Sequence, residues 1–154
     1  MKINEYKLYK NENNLPCLQI CRSFDCESDI CENPYDFATL MVELYDMNTL
    51  FIEYSYVIGL DFSNRILGIV ELSHETDYQT PTPLKEMFMS LLLMGANKFV
   101  LLHNHPNNVM DASAADIELG RKIIQGSNLL GLKFEDQIII GYEDYLSMKR
   151  EKLM

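Results

Sequence analysis

Residues 51 to 73 limit the choice of fold more than any other stretch of this chain. FIEYSYVIGLDF (51–62) and ILGIVELS (66–73) are rich in β-branched and aromatic residues, and only SNR separates them. Two such runs joined by so short a turn pair as antiparallel neighbours. The first run is apolar nearly throughout, the mark of a strand covered on both faces.

The segments that follow supply the cover. PLKEMFMSLLLMGA (83–96) reads as a helix with apolar residues almost all round, which predicts that it is well buried. KFVLLHNH is a short strand that ends on two histidines. After the loop PNNVMDA comes SAADIELGRKIIQGSNLL, an amphipathic helix with Ile117, Ile123 and Ile124 on its expected apolar side. FEDQIIIGYEDYLSM closes with a further strand and its continuation. Upstream, Pro34 stands where a helix starts, and Phe37, Leu40, Met41 and Leu44 repeat at helical spacing. The order fits the α/β (α+β) class: a curved central sheet flanked by helices.

The first third of the chain is less regular. Residues 4–22 read loosely as a hairpin turning at NENNLP, and SFDCESDICENP reads as a polar linker. This divides the chain into a hairpin-like extension of unknown role, 1–33, and a main domain, 34–154. Its four cysteines, Cys17, Cys21, Cys26 and Cys31, lack the paired CxxC spacing of a zinc ribbon and read as free thiols.

At 154 residues and 47% hydrophobic, the chain can bury a core, but its net charge is −10. Binding to nucleic acid relies on clustered Lys and Arg, and direct contact with DNA is not expected here. The N-terminus shows no apolar leader, and the longest apolar run, MFMSLLLMGA, is far short of the ~18–20 residues that cross a bilayer. A cytoplasmic protein without membrane contact is the expectation.

The chemistry concentrates in LLHNHPNNVMDASAAD (101–116). His-x-His at a strand end puts His103 and His105 on one side of the sheet, because side chains alternate with period two. Asp116 follows eleven residues after His105, close enough for the next helix to bring its carboxylate back to the two rings. Two histidines and a carboxylate leave a fourth position for water, the pattern of a catalytic zinc site. The same residues allow plainer readings. The histidines could simply end a strand, and Ser113 with Asp116 also spells an S-x-x-D capping box.

HNHP, the seven residues between His105 and Ser113, S-x-x-D, and then LLGLKFEDQIIIG closely resemble the JAB/MPN (JAMM) metalloprotease domain, specifically its RadC branch. That branch carries HNHPSG, S-x-x-D, and LLG followed by DHIIIG. The resemblance covers about residues 50 to 147. It implies that His103, His105 and Asp116 hold Zn2+ and that Ser113 donates a hydrogen bond to an oxyanion. There are departures. The family's SGDPTP loop is NNVMDA here, Gln137 replaces a usual histidine, and the first thirty or so residues do not resemble the helix-hairpin-helix module of longer RadC proteins.

Zinc-assisted hydrolysis also needs a proton acceptor that is not a ligand. Glu53, Glu71, Glu75 and Glu86 precede the histidines. Glu86 suits a helix start, Glu75 reads as solvated in an SHETD loop beside a loop histidine, His74, and Glu71 ends a strand. Glu53 sits inside an apolar strand, where a carboxylate is costly unless something favours its charge. An edge-strand glutamate facing water is the alternative. The resemblance points to Glu53, because the family's catalytic glutamate precedes an LD pair by the spacing found between Glu53 and Asp61. The expected function is therefore a zinc metallopeptidase acting on a peptide or isopeptide bond of a protein substrate. A DNA-repair-associated accessory protein and a metal-binding scaffold without turnover are the alternatives.

Overall fold

The computed structural model describes residues 1–75 and 82–154. Among these residues the chain forms one seven-stranded sheet covered by helices on both faces. In chain order the elements are β1 (Lys2–Lys10), β2 (Pro16–Asp25), α1 (Pro34–Tyr45), β3 (Glu53–Leu60), β4 (Ile66–Glu75), α2 (Leu84–Met94), β5 (Lys98–Asn104), α3 (Ala114–Leu130), β6 (Lys133–Ile140) and β7 (Tyr145–Ser147). The strands lie in the order β2-β1-β4-β3-β5-β6-β7.

The antiparallel pair expected from residues 51–73 is β3 and β4, with Val57 opposite Val70 and Ile58 opposite Ile69. β3 also pairs antiparallel with β5, so it is a central strand. Alternation then divides its residues between two cores. Ile58 and Leu60 join Met41 and Phe37 of α1, with Val100, Leu102 and Ile138. Val57 faces the other way, toward Met87 and Leu91 of α2, Ile123 of α3, and Phe99 and Leu101.

α1 begins as its sequence suggests. Asn33 caps it by accepting from the Asp36 amide at 3.1 Å, and Pro34 occupies the first turn. Three other segments depart from expectation. β2 extends to Asp25, so the first residues of the supposed polar linker are strand. Strand β4 runs through His74, which is therefore not a loop residue. Its Nδ1 lies 2.5 Å from Glu71, and its ring stacks on Tyr54 at 5.5 Å. Glu71 accordingly sits within β4 rather than at its end. The expectation for Glu75 concerns a side chain outside the described residues, and Thr76 and Asp77 of the SHETD segment also lie outside them. α2 buries only Met87, Ser90 and Leu91, and Leu92 and Leu93 face outward, because the helix is covered on one side only.

The N-terminal hairpin is built onto the sheet. β1 pairs antiparallel with β2 and parallel with β4, setting Glu5 beside Ile69 and Tyr6 beside Val70. Ile3 is in the α1-side core, and the buried Glu5 carboxylate accepts from the Tyr45 hydroxyl at 3.0 Å. No helix of the described residues is long and apolar enough to cross a membrane.

Candidate metal centre

The site forms where β5 ends, on the sheet face covered by α2 and α3. His103 is the penultimate residue of β5, and His105 stands just past its end. The His105 amide still donates to the Ile140 carbonyl of β6 at 3.0 Å, so the backbone stays extended long enough for both rings to face one way. Their Nε2 atoms are 3.1 Å apart.

Asp116 arrives from the first turn of α3. Its Oδ1 lies 3.2 Å from His103 Nε2 and its Oδ2 lies 3.3 Å from His105 Nε2. Four-coordinate zinc with bonds of about 2.0–2.1 Å sets neighbouring ligand atoms about 3.3 Å apart, and this triangle has that size. Two imidazole nitrogens facing each other at 3.1 Å also require a proton or a cation between them. The residues present therefore fit a metal ion, and they are the one His/Cys/Asp/Glu group among the described residues whose ligand atoms converge in this way.

The second nitrogen of His105 fixes its tautomer. Nδ1 donates to the Val109 carbonyl at 2.7 Å, so the neutral ring carries its lone pair on Nε2, the nitrogen that can take up a proton or a cation beside Asp116. Burial opposes the His105 charge. Asp116, the Val109 carbonyl and the negative charge of Glu53 outweigh it, so its pKa is raised. Burial likewise pushes Asp116 up, but hydrogen bonds from the two histidines and the Ser113 amide hold it far below the usual carboxylate range.

Ser113 serves as the N-cap of α3. Its Oγ accepts from the Asp116 amide at 3.0 Å, and Asp116 Oδ2 accepts from the Ser113 amide at 2.9 Å. The S-x-x-D capping box and the convergence on the histidines are thus one structure. The Ser113 hydroxyl hydrogen stays free to donate into a groove of about 740 Å³ lined by Glu53, His105, Ser113 and Asp116.

Glu53 opens β3, two residues before Ser55, whose partner across the ladder is His103. The period-two alternation puts Glu53 on the histidine face, half-buried in the groove wall. Its strand is central, which removes the edge-strand reading. Glu86 lies exposed in the first turn of α2, where the helix dipole favours it.

Three features of the site are not evident in the residue spacing. The face of α3 turned inward is Asp116, Gly120, Ile123 and Ser127, while Ile117 is 41% exposed, contrary to the expected apolar side. Gly120 permits this close approach, since a Cβ there would lie 2.9 Å from Gln137 Oε1. Gln137, fully buried on β6, supports the turn that carries Asp116 by donating from Nε2 to the Asp116 carbonyl at 3.3 Å. The NNVMDA loop has its own anchors: Asn107 accepts from the Val109 amide, and Asn108 accepts from the Tyr142 amide.

Comparison with known proteins agrees with this geometry. The RadC-like JAB domain model matches residues 31–153. A UPF0758 protein of Desulfitobacterium hafniense is 30% identical over 125 residues, covering 81% of this chain and 54% of that protein. A UPF0758 protein of Finegoldia magna is 35% identical over 99 residues, covering 64% of this chain and 44% of that one. The chain thus spans about half the length of these relatives. With the family model covering all but the N-terminal hairpin and the C-terminal residue, and the His-x-His and S-x-x-D residues meeting in space, the chain belongs to the RadC-like JAB domain family.

Proposed function

We propose that this chain is a zinc-dependent hydrolase that cleaves a peptide or isopeptide bond in a protein substrate. The observation that carries this reading is the convergence of His103, His105 and Asp116 in an open groove that also holds Glu53. These three residues would hold the metal. When bound, zinc supplies Lewis-acid polarisation and acidifies a water.

The chain's own residues do the rest. Glu53 accepts the proton of the attacking water and passes it to the leaving amine, the work of a general base that becomes a general acid. Ser113, already fixed by the capping box, turns its hydroxyl hydrogen toward the oxygen that gains negative charge as the carbonyl is attacked. Asp116 keeps its charge at any working pH, because the groups around it favour the carboxylate.

The test compares wild type with Glu53→Gln on fluorogenic peptide and isopeptide substrates. Gln is nearly isosteric and cannot take a proton, so turnover falls by about 10² to 10⁴ while zinc content is unchanged. Glu71→Gln, paired with His74 in β4, keeps its activity. Equal rates for wild type and Glu53→Gln would remove Glu53 as the base. Loss of activity in Glu71→Gln alone would move that role to β4.

A further inference from the structure

We propose that Asn104, between the two histidines, is the positioning residue that sets the backbone of Glu53; this rests on the reading of Glu53 as the base. Backbone pairing between β3 and β5 ends at Ser55 and His103. Beyond that point the Asn104 carboxamide takes over. Its Oδ1 accepts from the Tyr54 amide at 2.7 Å, and its Nδ2 donates to the Ile52 carbonyl at 3.0 Å.

Those two groups belong to the peptide planes on either side of Glu53. The dihedral angles φ and ψ of Glu53 are the rotations between these planes. A planar carboxamide with a fixed separation of O and N therefore locks both angles at once. Its orientation is forced, since a flipped amide would set donor against donor at Tyr54 and acceptor against acceptor at Ile52. Asn104 is 1% exposed, so water is kept from competing for these bonds. Aspartate would lose the donor, and an apolar residue would leave both backbone groups unpaired. Because Asn104 joins His103 to His105 in the chain, one residue ties the carriers of the ligands to the carrier of the base.

The experiment uses the whole 154-residue chain loaded with cobalt(II), with two readouts independent of turnover: the pH midpoint of the visible spectrum, and amide exchange at Tyr54 by NMR. Removing the negative charge of Glu53 in Glu53→Gln lowers the midpoint by about one unit or more. Asn104→Ala lowers it by a smaller step in the same direction and speeds Tyr54 exchange about tenfold or more. The double variant matches Glu53→Gln alone, because Asn104 acts through Glu53. Asn104→Thr keeps one hydrogen-bonding group and suits a strand; it stands in if the alanine variant does not fold. An unmoved midpoint in both Asn104 variants, or additive shifts in the double variant, overturns the proposal. A Glu53→Gln midpoint equal to wild type instead overturns the placement of Glu53 beside the metal. The proposal then falls with it, while Tyr54 exchange still reports the clamp.

Discussion

His105 and Asp116 each favour the other's charged form, and this couples the site to pH. The folded pKa of Asp116 is depressed, so its contribution is present above the usual carboxylate range and is lost as acid titrates the folded group. The folded pKa of His105 is raised, so its contribution is present below about pH 6.5 and is lost as pH rises through the folded value. Metal-free protein therefore gains most from the pair in mildly acidic solution. With the proposed ligand set a metal ion would need the His105 lone pair, so its binding would displace the proton. The rise in Tm on adding one equivalent of zinc should grow from pH 5.5 to 8, measured by thermal denaturation; a rise independent of pH would argue against His105 as a ligand. At this scale the sequence is most legible where partners are close in the chain. His-x-His and S-x-x-D lie within fourteen residues, and local periodicity is enough to set them on common faces. Asn104 escapes such reading because its partners, Ile52 and Tyr54, lie some fifty residues away and meet it only through the β3–β5 register.

α3 joins the two jobs of carrying Asp116 and closing one core, and its ends are built for a fixed length. Ser113 starts it, and Gly131 stops it in the left-handed conformation at φ 73°. Nothing lies within 4 Å of a Cβ built on Gly131, so Gly131→Ala costs only the backbone strain, about 1 kcal/mol. Chemical denaturation should show that loss with zinc binding intact. A loss of several kcal/mol would mean that the turn carries packing as well. The inward face of α3 was hard to read because Gly120 and Ser127 are not apolar. They are chosen by closeness to the sheet rather than by hydrophobicity, and periodicity alone favours Ile117 instead. In α2 the reverse holds. Its leucines look uniformly buried, yet an eleven-residue helix on one face of a sheet can cover only one side of itself.

For the whole molecule, the sheet order is the part that local sequence patterns could not supply. The β3–β4 pair follows from a three-residue turn, but the parallel contact of β1 with β4 joins residues more than sixty positions apart. That contact makes the first thirty residues part of the core. A chain shortened to 31–154 loses Ile3 and the partner of β4, leaving a long strand with an unpaired edge. Gel filtration and circular dichroism should show it aggregated or unfolded; a monomer with the Tm of the full chain would show that the hairpin is dispensable. The central claim is that His103, His105 and Asp116 form one metal centre. Its most direct measurement is the zinc content of protein purified without chelator and then supplied with zinc, beside the double variant His103→Ala with His105→Ala. The account predicts one zinc per wild-type chain and none in the variant. Wild-type protein that stays metal-free in the presence of zinc, or a variant that binds as well as wild type, would contradict it.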